Sequence, residues 1–94
     1  MEDAVAVLTD YLEAMRAGIA VLDGAGHRAA ARARVRLILE MDVQPLIAIA
    51  QRHPDEAYRR ALGAFVADLA ARADAEEIAL DDATAALRHA AVLW

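Results

Sequence analysis

The sequence predicts an all-α fold, a single bundle of four to five helices packed mainly antiparallel, and three observations carry the prediction. Apolar residues recur at steps of three and four along most of the chain, no segment reads as a strand, and turn residues interrupt the pattern at only three places. Ninety-four residues that are 60% apolar and 27% charged make one domain, 1–94, because chains of this size rarely split. A core this small leaves much of its surface open, so association through helix faces belongs to the prediction from the start.

The first helix runs to the break at Gly24-Ala25-Gly26, where Gly24 is expected to take the left-handed conformation that closes a helix. Val5, Leu8, Leu12, Met15, Ile19 and Leu22 follow steps of three and four without an error, the seam that lets helices pack side by side. Val7, Tyr11 and Val21 widen the apolar arc to roughly half the circumference, more than the ~100° stripe one core contact needs. Two neighbours are implied: two helices of the same chain, or one helix and a second protomer.

The second segment, 27–52, changes character midway. Arg28, Arg32, Arg34 and Arg36 stand among alanines, whereas 43–50 is apolar on nearly every side and is expected to be buried centrally. Pro45 lies between the halves, and an interior proline costs about 3 kcal/mol in a continuous helix. Either the helix kinks there or Asp42 caps a fresh short helix with Pro45 in its first turn, and the break is preferred.

His53-Pro54 marks the next boundary, with His53 expected as the N-cap and Pro54 in the first turn. The helix that follows carries Tyr58, Leu62, Phe65 and Leu69 at core spacing. Asp55 and Arg59, and Asp68 and Arg72, are spaced to pair on its outer face. The stretch 74–80 is a third break. Asp81 then caps a last segment with Leu87, Ala91 and Trp94 along one side, and Trp94 is expected to dock into the bundle or into a partner, because a solvated indole wastes a large apolar area.

Several function classes fall on composition alone. Without cysteine there is no disulfide framework, thiolate nucleophile or cysteine-based metal site; without serine or lysine there is no serine nucleophile, Schiff-base lysine or P-loop. The acidic start Met1-Glu2-Asp3 is unlike a secretory signal, and no apolar run approaches the roughly 18 residues of a membrane span. A cytoplasmic protein with no membrane partner is expected. Net charge of −5 and a pI near 5.0 disfavour a dedicated nucleic-acid binder.

Little chemistry survives among the remaining residues. His27, His53 and His89 share no metal-ligand spacing, and Glu76-Glu77 and Asp81-Asp82 are adjacent acids without a third ligand. No catalytic residue, metal site or cofactor is assigned. An enzyme remains a third reading, needing a pocket that joins His89 or His53 to a carboxylate of another helix.

Arg28, Arg32 and Arg36 lie four apart on one helix side, with Arg34 turned away, and can follow an acidic partner or a phosphate backbone. The plainer expectation is a solvated row paired with the chain's own acids. The functional expectation is a small helical interaction module, a homodimer or an accessory subunit on another protein. Val5, Leu8, Leu12, Met15, Ile19, Leu22 and Trp94 supply apolar contact, and the Arg row supplies steering. The alternative is a regulator touching DNA or RNA phosphates through that row.

Overall fold

The computed structural model describes residues 4–52 and 55–80, with side chains from residue 6 onward. The Val5 side chain, His53, Pro54, Asp81, Leu87, His89 and Trp94 lie outside the described residues. The structure is all-helical, with no strand among the described residues. Four α-helices are seen: α1 (Ala4–Gly24), α2 (Arg28–Leu37), α3 (Val43–Arg52) and α4 (Glu56–Ala75), with a π-helical turn, Ile38–Asp42, joining α2 to α3. Because that turn keeps the helix running, the four pieces make three rods.

The continuous rod over 28–52 corrects the expected break at Pro45. Leu37 and Val43 both have right-handed helical dihedrals, and the Val43 N–H donates to the Ile38 carbonyl five residues back. Asp42 therefore lies inside a wide turn and starts no new helix. Two features account for the turn. Val35, Leu39, Val43 and Ile47 follow strict steps of four, which drift by about 40° per step around an α-helix; a turn with more residues keeps them on one side. The turn also holds Met41, whose carbonyl the Pro45 ring would strike in a regular α-helix.

Both helix ends at the base of the bundle use the same hydrogen-bond pattern. The His27 N–H donates to the Leu22 carbonyl (2.8 Å) and the Gly26 N–H to that of Asp23 (3.1 Å), with Gly26 left-handed at φ 81°. This is a Schellman closure, and it corrects the expectation that Gly24 would take the left-handed position: Gly24 is the last residue of α1. At the end of α4 the Ile78 N–H donates to Ala73 (2.8 Å) and the Glu77 N–H to Asp74 (3.2 Å), with Glu77 at φ 54°. The start of α4 is also displaced from expectation. Asp55 is its N-cap, accepting from the Ala57 N–H at 2.9 Å, two residues after the expected His53 cap, because a carboxylate satisfies the first-turn donors directly.

Ion pairs fix the sense of the rods. Arg16 donates to Asp68 and Arg72 to Asp23, so residue numbers rise together along α1 and α4 and the two run in the same direction. Arg28 meets Glu76 at one end of the reversed 28–52 rod, and Arg59 Nε reaches the Ala50 carbonyl at the other (2.9 Å). Asp68 and Arg72 thus pair with α1 and Glu76 rather than with each other.

The core is centred on α4. Tyr58, Leu62, Phe65, Val66, Leu69, Ala70 and Ala73 are all buried there, against Leu8, Leu12 and Ile19 of α1 and Ala31, Val35, Ile38, Leu39, Val43, Ile47 and Ala50 of the reversed rod. The Arg16 guanidinium lies 5.2 Å from the Phe65 ring centroid, closing the top of that layer by a cation–π contact. The expectation that 43–50 is buried all round does not hold: Gln44, Pro45 and Ile49 face outward, because α4 covers only one side of α3.

Candidate functional site

The first-helix seam is used within the chain. Leu8, Leu12 and Ile19 are buried, and Met15 and Leu22 are half-buried against the same core. Placed by sequence at an interface with a partner, these residues instead meet α2 and α4, since a helix flanked on two sides by its own chain shelters its most apolar face first. The extra width of the arc is what stays open. Val7, Tyr11 and Val21 are exposed, Val21 at 70%.

That remainder forms a face. Between α1 and α2 an open groove is lined by Gly18, Val21 and Leu22 on one wall and Ala30, Ala33, Arg34 and Leu37 on the other. Leu37 is 45% exposed, and Met41, four residues on, is 63% exposed. Arg34 is the one charged residue lining the groove, and it has no acidic partner among the described residues.

On the other side of α2 most of the charges pair within the chain. Arg72 is held between Asp23 (2.8 Å) and Glu76 (2.8 Å), and Arg28 lies 3.7 Å from Glu76. The two Schellman closures place these side chains at the same end of the bundle. Hydrogen bonds from Arg72 hold both carboxyls below their ordinary range, reinforced by the positive charges of Arg72 and Arg28, and of Arg32 at Glu76. The same hydrogen bonds from Asp23 and Glu76 push the Arg72 guanidinium further up. Burial pushes the Tyr58 hydroxyl up.

The structure keeps Arg28, Arg32 and Arg36 on one side, where they line two notches with Glu76, Ile78 and Glu40. Arg36 pairs with Glu40 at 3.0 Å and Arg28 with Glu76, so two of the three are occupied by the chain's own acids. Arg34, set aside by sequence, is the arginine left facing open apolar surface.

Among the described residues the groups named by sequence for acid–base and metal chemistry are not brought together. His27 precedes α2, exposed, and its side chain makes no capping bond. Among the described residues no three His, Asp or Glu converge as a metal would need, and none of the helices is long and apolar enough to cross a membrane. His53 and His89 lie outside the described residues, and so does any pocket built on them.

Sequence reasoning missed two features. The Asp23–Arg72–Glu76 group had half a signal, the i,i+4 spacing of Arg72 and Glu76, while Asp23 is 49 positions away along the chain from its partner. Gly18 and Ala14 had a full signal: with Val7, Tyr11 and Val21 they make a second row at steps of four, three, four and three, parallel to the buried one. No family model, characterised protein or solved structure matches this chain.

Proposed function

We propose that this protein is a helical interaction module whose α1–α2 outer face docks the apolar side of another helix, as a homodimer or as a small accessory subunit of a larger assembly. The observation that supports this most is that Val21 and Leu37, large and exposed, line opposite walls of a groove together with the small Gly18, Ala30 and Ala33. Fully burying such a side chain is worth about 1.5–3 kcal/mol, so covering the exposed parts contributes roughly 1–2 kcal/mol at Val21 and roughly 0.7–1.4 kcal/mol at Leu37. The charged side of the molecule offers less: a phosphate docking on Arg28, Arg32 and Arg36 meets the carboxylates of Glu76 and Glu40 beside them. A cysteine-free chain of this composition fits action in the cytoplasm.

The test is a titration of the isotope-labelled full chain with an amphipathic Leu/Ala-rich helical peptide, followed by amide chemical shifts. The expected result is a set of changes concentrated on α1 and α2 that disappears in the Val21→Glu, Leu37→Glu double variant. Absence of any change, or changes centred on α4, would overturn the reading.

A further inference from the structure

We infer that residues 81–94 pack along the outer side of the 28–52 rod, with their acidic start beside Arg32 and Arg36 and their apolar side on the row Leu37, Met41, Pro45 and Ile49. This surface shares only the rim residues Ala33 and Leu37 with the α1–α2 groove, so the inference stands apart from the docking reading. The course of the chain up to Leu80, an arginine without an acid and a match of spacing carry it.

The closure after α4 turns the chain onto α2. Glu76 stands beside Arg28 and Arg32, whereas Ile78 and Ala79 line a notch with Arg32, Arg36, Leu37 and Glu40, so the chain advances along the rod in the direction of rising residue number. Ile78 and Leu80 are half-buried against the core, which fixes the point of departure. Consecutive Cα atoms lie about 3.8 Å apart, so Asp81 and Asp82 follow within a few ångströms of that notch. Arg36 and Glu40 satisfy each other there at 3.0 Å, while Arg32 makes no ion pair among the described residues. Two carboxylates thus arrive where a guanidinium lacks one.

The outer row owes its straightness to the π turn. Leu37, Met41, Pro45 and Ile49 keep the steps of four of the buried Val35, Leu39, Val43 and Ile47, two positions on, so the turn that aligns one row aligns the other on the opposite side. All four are exposed, and no charge interrupts them. Leu87, Ala91 and Trp94, at steps of four and three, share one side of a helix begun at Asp81. With Asp82 set beside Arg36 and the two helices parallel, Leu87 faces Met41, the small Ala91 faces the Pro45 ring, and Trp94 comes within one residue of Ile49. At 1.5 Å per residue Asp82 to Trp94 spans about 18 Å, against about 20 Å from Arg36 to Ile49. Covalent continuity selects this occupant over a separate partner, since a short tether holds the segment at an effective concentration of about millimolar order.

Trp94 is the chain's single tryptophan, so its fluorescence reports the contact in the full chain. At low micromolar concentration the emission is expected to be blue-shifted, weakly quenched by acrylamide and unchanged on dilution. Met41→Glu and Ile49→Glu, both at exposed positions, are expected to shift the emission to that of a solvated indole and to raise quenching several-fold, with helicity checked by circular dichroism. Val21→Glu, in the α1–α2 groove, is expected to leave the emission as it was. Arg32→Glu is expected to raise quenching, and adding Asp81→Arg to lower it again. Without native cysteine, Pro45→Cys with Ala91→Cys gives an independent reading: mild oxidation is expected to close an intramolecular disulfide in that pair and none in Val21→Cys with Ala91→Cys. A solvated indole in the parent overturns the inference. So does release by Val21→Glu but not by Ile49→Glu, which would put the segment in the other groove, and so does protection lost on dilution, which would make the neighbour a second copy. Absence of rescue by Asp81→Arg, or equal oxidation of the two cysteine pairs, counts against the register in the same way.

Discussion

Gly26→Ala and Glu77→Gly should shift stability in opposite directions, because the same closure ends both α1 and α4 and only one has the residue it favours. In each, the amide after the left-handed residue reaches five residues back, His27 to Leu22 and Ile78 to Ala73, both at 2.8 Å. The left-handed position holds Gly26 at φ 81° in one and Glu77 at φ 54° in the other. Holding an L-residue there costs about 1 kcal/mol through the clash of Cβ with the following carbonyl, a penalty glycine escapes. A Cβ at Gly26 meets nothing else within 4 Å, so Gly26→Ala isolates the backbone effect and should lose about 1 kcal/mol. The Glu77 side chain is exposed, and replacing it removes the strain while adding freedom to the unfolded chain, for a net gain of about 0.5–1 kcal/mol.

For 94 residues the unfolding entropy is about 0.2 kcal/mol per degree, which converts these changes to roughly 5 °C down for Gly26→Ala and 3–5 °C up for Glu77→Gly. Thermal melts followed by far-ultraviolet circular dichroism at low micromolar protein resolve shifts of that size and keep association out of the measurement. Shifts of the same sign, or a Gly26→Ala variant within a degree of the parent, would refute the assignment of strain to these two positions.

Three further outcomes follow from the packing and the ion cluster. Asp23 and Glu76 titrate below their ordinary values of 3.8 and 4.5 when folded, because Arg72 donates hydrogen bonds to them. Carboxyls held down in this way stabilise the fold at neutral pH, and that contribution disappears as pH falls through the folded-state values. The melting temperature should therefore drop on acidification below about pH 4.5, and Arg72→Met should flatten the drop; an unchanged pH profile in that variant counts against the assignment. Phe65→Ala empties the fully buried centre and the ring under Arg16, at a cost of about 3–5 kcal/mol from a total of roughly 5–14 kcal/mol. Urea unfolding measures it, and a loss under about 1 kcal/mol would contradict the placement of the core. Pro45→Ala restores an N–H in the first turn of α3 and removes the ring that opposes the Met41 carbonyl, so a gain of about 1 kcal/mol or more is expected. No gain would mean that the steps of four, and not proline, hold the π turn in place.

Helix content was legible because the signals for it are local: the seam of α1, the core row of α4 and the glycine turn at 24–26 each depend on residues within a few turns of one another. Position within the bundle was not, because it is a property of pairs of helices. The apolar run at 43–50 looked more central than 56–75, yet α4 packs against both other rods, and its small Ala70 and Ala73 count toward the core because they let α1 and α2 come close. Capping failed by two residues at each end for a similar reason. Gly24 and Gly26 are both able to go left-handed, and only the sum of contacts at the base, with Leu22 and His27 joined, selects Gly26.

The first helix shows where sequence spacing stops discriminating. Val7, Tyr11, Ala14, Gly18 and Val21 keep the same steps of four, three, four and three as Leu8, Leu12, Met15, Ile19 and Leu22, one position earlier. Periodicity alone ranks the two rows equally. Size separates them: the row with three leucines, an isoleucine and a methionine buries more area against α2 and α4, and its capture by the core leaves the lighter row in solvent. A half-apolar circumference thus resolves into one face that folds the chain and another that stays exposed. Exchanging bulk between the rows tests that division. Leu12→Ala should destabilise the monomer by about 2–5 kcal/mol, whereas Tyr11→Ala, at a position 48% exposed, should leave its melting temperature within a few degrees and act on association instead.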